Sequence, residues 1–353
     1  MKTSEKYFFH LTSLECSALR TIAIIIIVLH NFAHKIPFAA LENEFSYHLE
    51  HDIYFSNNIF TSNFLINLFS YWGHLGVSIF VFISGYGLSI KYSEKIKIKK
   101  KDFIISHYKK LFYPILLGTI TYIIIMYCFH KEVSFSIPRF ILQCSMLLNL
   151  AYPHELYFSP GPYWYFGMTM QIYLIYIFII HRRPILYIVS FTTISLTLMG
   201  LLHDYQNIIV WTKCNVIGWA TPLCIGIIAS KKISKYDIHY NHPVLFTIFM
   251  LSLIMLILSG KSYYLWLLAP IFVITIAISF VKMIPSRLWE KTKIIGNASL
   301  YLLIIHPIVR DITLPMYYIW GIWSFVAYIF ISIFLSLTIY LSWKNYNNKL
   351  PMV

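Results

Sequence analysis

The nineteen residues from Leu111 to Phe129 pass without one Asp, Glu, Lys or Arg. A helix of about 20 apolar residues is what the ~30 Å hydrocarbon core of a bilayer requires. A helix on the surface of a soluble protein would instead show a polar face every ~3.6 residues, and this run is apolar all round. Comparable runs recur to the C-terminus of the 353-residue chain, which is 58% hydrophobic and only 12% charged. Lipid cannot satisfy loose backbone groups, so spanning segments are helices or strands of a closed barrel. Barrel strands alternate in hydropathy over about ten residues, and these do not. The pattern predicts an all-α integral membrane protein.

Ten spans are expected, over residues 19–37, 68–90, 111–129, 163–181, 184–202, 214–230, 243–260, 263–282, 295–313 and 318–343. The apolar run 139–150 is too short to cross and reads as a re-entrant or interfacial helix on the outer side. No repeat of fixed period, low-complexity tract or long polar linker interrupts the chain, so residues 1–353 are expected to form a single transmembrane domain.

Lys and Arg near helix ends set orientation by accumulating on the cytoplasmic side. With the N-terminus inside, 21 of the 28 basic residues fall on that side, eight of them lysines between Lys91 and Lys110. Six fall outside, at Lys35, Lys131, Arg139, Lys213, Lys261 and Arg310, while Arg20 stands in the mouth of the first helix. Both termini are therefore expected in the cytoplasm. A net charge of +14 gathered on one face speaks of topology and attraction to anionic lipid, and nucleic acid is not expected as a partner. The apolar core of the first segment is short enough for a signal peptide, yet cleavage would discard Arg20, His30 and His34 and leave an odd number of spans. It is read as a retained helix. Five cysteines, an odd number without metal spacing, read as packed thiols.

Within LRTIAIIIIVLHNFAH, His30 falls about 15 Å beyond a helix start near Leu19, close to the midplane. Ionisable groups are costly there, so the residue needs a reason. Two remain open: a base shielded from bulk water, or a side chain bridging two helices. Arg20, one helix mouth away, either binds an anionic substrate or snorkels to head groups. His34 gives the His-x-x-x-His spacing of a metal pair, but Asn31 follows the first histidine and no third ligand is evident, so no metal is expected there. His48 and His51, in the acidic outer loop 36–63, carry a somewhat stronger metal signal than that pair, though still a slight one. The second span interleaves Gly73, Gly76, Gly85 and Gly87 with Ser78 and Ser84, which serves close helix packing or a substrate passage along Ser84 and Gly85. Gln171 and Thr169 need partners inside the membrane, and His306 lies deep in the ninth span beside Pro307.

Taken in order, four groups of residues resemble the acyltransferase 3 family of integral membrane acyltransferases: Leu19 and Arg20 leading to His30; Gly76, Val77, Phe80, Ser84 and Gly85; Trp164 through Gln171, Tyr173 and Leu174; and Gly296, Ser299, Tyr301, Leu302 and His306. The resemblance covers nearly the whole chain. It implies transfer of an acyl group, commonly acetyl, from acyl-CoA as cosubstrate to a hydroxyl of a surface glycan or its lipid-linked precursor, in the inner membrane of a bacterium and without a permanently bound cofactor. It also implies that His30 is catalytic and that Arg20, Lys109 and Lys110 hold the donor's phosphates. Ser84, Gly85, Tyr173 and His306 are expected to line a passage or supply an oxyanion donor. The chain departs from the family pattern in three places: nine residues instead of ten separate Arg20 from His30, Lys109 and Lys110 are shifted relative to the usual basic pair, and Thr169 stands where an acid is common. At ~100° per residue the shortened spacing turns His30 about 80° from Arg20, so the two need a local bulge or separate roles. The rival reading is a transporter or flippase of glycan or lipid, with His30 and His306 along its path.

Overall fold

A capping box starts the first helix: Glu15 N donates to Thr12 Oγ1 at 3.2 Å and Thr12 N donates to Glu15 Oε2 at 2.7 Å. The computed structural model describes residues 7–92, 97–130, 136–151, 160–231 and 240–349. Of the basic residues that set the expected orientation, Lys2, Lys6, Lys95, Lys131, Lys232 and Lys235 lie outside the described residues. Among those described no β-sheet forms, and the chain is helical in the manner the apolar runs predict.

In chain order, α1 (Ser13–Ala33) leads through a loop and α2 (Leu49–Asn57) to α3 (Phe64–Trp72) and α4 (Gly76–Lys91). A 3-10 turn at Gly73–Leu75 joins α3 to α4 in one span. Next come α5 (Lys100–Cys128), α6 (Ile137–Cys144), α7 (Leu148–Ala151), α8 (Trp164–Ile175), α9 (Ile185–Leu201), α10 (Gln206–Cys214) and α11 (Ala220–Lys231). The chain closes with α12 (His242–Ser259), α13 (Tyr263–Trp266), α14 (Ala269–Met283), α15 (Ser286–Asn297), α16 (Ser299–Thr313), α17 (Tyr317–Trp320) and α18 (Ile322–Lys349).

Among the described residues seven helices are long and apolar enough to cross a membrane: Ser13–Ala33, Phe64–Lys91, Lys100–Cys128, Gly161–Ile180, His242–Ser259, Ser299–Trp320 and Ile322–Asn345. An eighth is broken, because α10 and the segment Val216–Lys231 meet at 71°. The expected spans 184–202 and 263–282 correspond to apolar helices of 17 and 15 residues, Ile185–Leu201 and Ala269–Met283, which fall short of that length. The ninth expected span, 295–313, is divided between α15 and α16 at Ala298. The run 139–150 forms the short helices α6 and α7, neither long enough to cross. This is a multi-pass membrane protein.

Burial sorts the helices into centre and rim. In the most apolar window of α1 and of the α3–α4 span, 67% and 72% of residues are buried, against 22% in α12 and 28% in α18. The outer helices therefore present side chains such as Leu251, Ile254, Phe330 and Phe334 to lipid. Tyr328 nevertheless anchors α18 by donating from its hydroxyl to Val28 O at 2.8 Å. The break before α11 has a polar cause. Asn215 is extended, and its side-chain oxygen accepts from Gln171 Nε2 at 2.5 Å while Val216 N donates to Gln171 Oε1 at 3.0 Å. Gln171 thus finds the partners that burial in a membrane demands.

Pro37 sets the other end of α1. It lacks an N–H and disfavours helical geometry at Ile36, so the helix stops at Ala33 with His34 as its C-cap. Because α1 starts at Ser13, His30 lies about 25 Å along a helix about 31 Å long. It sits in the last turn and not at the expected midpoint.

Candidate active site

α1, α4, α5, α8 and α16 surround one cavity of about 1320 Å³. Toward the lysine-rich end its wall carries Arg20, Lys91, Lys109 and Lys110, together with His107 and Tyr173. Toward the opposite end it carries His30, Asn31, His34, Lys35, Glu42, Glu44, His74, Arg310 and Asp311. Ser84, Tyr165 and Thr169 line the stretch between. Since α1 is an unbroken α-helix, the shortened spacing between Arg20 and His30 produces no bulge. The two residues serve different stations of one cavity, about 15 Å apart along the helix axis.

His30 is 2% exposed and held from both sides. Its Nδ1 donates to Phe69 O of α3 at 3.0 Å; a carbonyl only accepts, so in the neutral ring the proton is on Nδ1 and the lone pair on Nε2. Gly73 makes this approach feasible, because a Cβ there would stand 2.6 Å from His30 Cβ. The Nε2 edge faces two carboxylates, with Glu42 Oε2 at 2.6 Å and Glu44 Oε2 at 3.8 Å. The Glu42 contact is an ion-pair approach, and its angle does not meet that of a hydrogen bond.

Both glutamates come from the loop that returns across the end of α1. Ala40 N donates to Asn67 Oδ1 at 3.0 Å, and Ser70 Oγ donates to Ala40 O, which ties the loop to α3. Between the two acids, the Asn43 side chain closes a turn by accepting from His48 N at 3.1 Å and donating to His48 O at 3.2 Å. Burial pushes the Glu42 carboxyl up, but the surrounding histidines His34, His30 and His74 outweigh it and hold it well below the usual carboxylate range. Burial, with the charge of Glu42 beside it, raises Glu44.

Other side chains at this end are equally fixed. His34 Nδ1 donates to His30 O at 2.8 Å, and the two imidazoles stack at 4.7 Å. The His74 ring packs edge-on against His30 at 5.8 Å. Arg310 is paired with Asp311 at 2.8 Å and reaches Asn31 Oδ1 at 3.4 Å. Counted in sequence as a basic residue outside the membrane, Arg310 is only 6% exposed, and Lys213 is 5% exposed with its ammonium 4.1 Å from the Trp266 ring. His30, His34 and Glu42 offer three donor atoms within 4.8 Å of one another. Glu42 is the third group that the His-x-x-x-His spacing alone does not reveal.

The structure separates the other expected site residues. Arg20, Lys109 and Lys110 do share the cavity with His30. Ser84 lines it, but its hydroxyl donates to Phe80 O at 2.9 Å, which occupies the proton an oxyanion donor would offer. Tyr173 lines the lysine-rich half, its ring 4.4 Å from that of His107. Gly85 faces away from the cavity, where an added Cβ would strike Leu223 O of α11; Gly226 mirrors it against Phe82 O. Gly85, like Gly76 against Ala23 O, thus acts in helix packing, whereas Gly87 lines the cavity with open space beside it. His306 is fully buried, its Nδ1 donating to Leu302 O at 2.8 Å, and it does not line the cavity, whereas Arg310 one turn later does. The signal that could have pointed to Glu42 and Glu44 was the acidic character of the loop after His34.

Comparisons with curated proteins and with solved structures give no match. A sequence model of the acyltransferase 3 family, described as an acyltransferase domain, matches residues 15–341, nearly the whole chain and every helix that lines the cavity. The chain therefore belongs to the acyltransferase 3 family and is, by that membership, a membrane acyltransferase.

Proposed function

We infer that this protein moves an acyl group, of which acetyl is the expected case, from acyl-CoA to a hydroxyl of a cell-surface glycan or its lipid-linked precursor. The observation that carries the reading is one cavity with a cationic mouth at one end and a base between carboxylates at the other. Arg20, Lys91, Lys109 and Lys110 suit the phosphates of an anionic donor, and acyl-CoA is made in the cytoplasm. The lysine-rich end is then cytoplasmic, with both termini on that side of a bacterial inner membrane. The donor's acyl-bearing arm extends from there toward His30.

The step needs little beyond these groups. As the acceptor oxygen attacks the thioester carbonyl, its proton passes to His30 Nε2, whose ring is oriented by Phe69 O. The carbon–sulfur bond breaks, and the imidazolium returns the proton to the departing thiolate. Products are the ester and free CoA thiol. Glu42 stabilises the imidazolium as Nε2 becomes protonated. The 2.6 Å contact leaves no room for a hydroxyl, so Glu42 gives way as the acceptor docks.

Inverted membrane vesicles supplied with radiolabelled acetyl-CoA test this directly. The expected result is base-labile label in the glycan or lipid-linked saccharide fraction from wild-type vesicles and none from His30→Ala vesicles. Equal labelling by both would remove His30 as the base. No labelled ester, together with a fall in exported glycan in cells lacking the protein, would support a transporter instead.

A further inference from the structure

We propose that His30, His34 and Glu42 form a binding site for a divalent transition-metal ion of the zinc class at the carboxylate end of the cavity. Their donor atoms lie within 4.8 Å of one another, and two histidines with one carboxylate are a frequent zinc set that leaves a fourth position open. The cavity supplies that open side.

The hydrogen bonds around the cluster distinguish it from a chance gathering. His30 Nδ1 donates to Phe69 O at 3.0 Å and His34 Nδ1 donates to His30 O at 2.8 Å. The proton of each imidazole is thereby held on Nδ1, which leaves Nε2 with the lone pair; that of His30 faces Glu42 at 2.6 Å. Metal-bound histidines are oriented in the same way, by giving the other N–H to a carbonyl or carboxylate. His30 Nε2 and Glu42 Oε2 are both buried and neither makes a hydrogen bond. A lone pair and a carboxylate that meet at 2.6 Å call for something positive between them, and at that distance it is a shared proton. A zinc ion, with bonds of about 2.0–2.1 Å to each donor, enters as Glu42 draws back to roughly 3.3 Å from Nε2.

An ion bound there would engage the Nε2 lone pair that acyl transfer requires. Zinc therefore acts as an inhibitor that competes with the acceptor. The binding itself is independent of the acyl-transfer reading, since it depends only on the three donors.

The test uses the full-length protein in lipid nanodiscs, stripped with chelator and titrated with Co²⁺ as the probe. The expected result is one equivalent bound with the intense visible absorption of a four-coordinate Co²⁺ site, displaced by Zn²⁺. His34→Ala and the near-isosteric Glu42→Gln should each weaken binding by at least about tenfold, with size-exclusion profile and helical circular dichroism checked for each. Absence of a visible band in the wild type, or equal affinity in wild type and a folded Glu42→Gln protein, would overturn the site. Acetyl transfer measured in chelator is read separately. Loss of transfer with Co²⁺ binding intact would count against the acyl-transfer reading while leaving the metal site standing.

Discussion

The two ends of the cavity are built to opposite specifications. At the lysine-rich end Arg20, Lys91, Lys109 and Lys110 meet no carboxylate among the described lining residues, and Lys109 and Lys110 are exposed. At the other end Glu42, Glu44 and Asp311 stand against Lys35 and Arg310, and His30 is locked by a backbone carbonyl and a glycine contact. An excess of positive charge suits a polyanion held by long-range attraction, which tolerates loose geometry. A balanced, hydrogen-bonded chamber suits chemistry, where a displacement of 1 Å can cost a factor of about 100. On the proposed function, binding and catalysis divide between the ends, and substitutions should divide the same way.

The largest effect is expected from His30→Ala, which removes the proposed base. Transfer should fall by a factor of about 10²–10⁴ in kcat with the protein still inserted, measured as labelled ester formed per unit of purified protein. Glu42→Gln keeps the shape of the side chain but not its charge, and a loss of about 10–10² in kcat with little change in the donor's KM is expected. An unchanged kcat would make Glu42 a plug and not a partner. Gly73→Ala introduces no polar change at all, yet its Cβ falls 2.6 Å from His30 Cβ. It should lower kcat by about tenfold through misplacement of the imidazole, with donor affinity intact.

At the lysine-rich end the pattern should invert. The double substitution Lys109→Ala and Lys110→Ala should raise the donor's KM by about three- to tenfold with kcat nearly constant, and raising ionic strength should shrink the difference between variant and wild type. The smallest effect belongs to Ser84→Ala, because its hydroxyl is committed to Phe80 O. Less than a threefold change in kcat is expected, and a larger one would return Ser84 to an oxyanion role.

The two ends also differed in how much of them the sequence disclosed. Lysines beside apolar runs are visible in one dimension, and Arg20, Lys109 and Lys110 are found on the cavity wall. His30 is legible for a related reason, as an imidazole deep in an apolar run. Glu42 and Glu44 are not, because their position depends on a loop folded back by Ala40, Asn67 and Ser70. Most long apolar helices followed from hydropathy, but the division of 295–313 at Ala298 and the break at Asn215 did not, the latter being made by a side chain 44 residues away. Gly85 illustrates a further limit. A passage and a tight helix crossing both ask for small residues, and only the position of Leu223 decides between them. In α16 the histidine stands out in the sequence, while the charged pair that reaches the cavity is Arg310 and Asp311, of which Arg310 reads in sequence as an outer-loop residue.

The central claim is that the protein, with His30 as the base, transfers an acyl group to a surface saccharide. The most direct measurement is the ester-linked acyl content of surface glycans in cells lacking the protein, complemented with wild type or with His30→Ala at equal membrane levels. Loss of one acyl ester, restored by wild type and not by His30→Ala, is the predicted result and identifies the group moved. Ester content restored equally by both proteins, or unaltered by deletion, would contradict it.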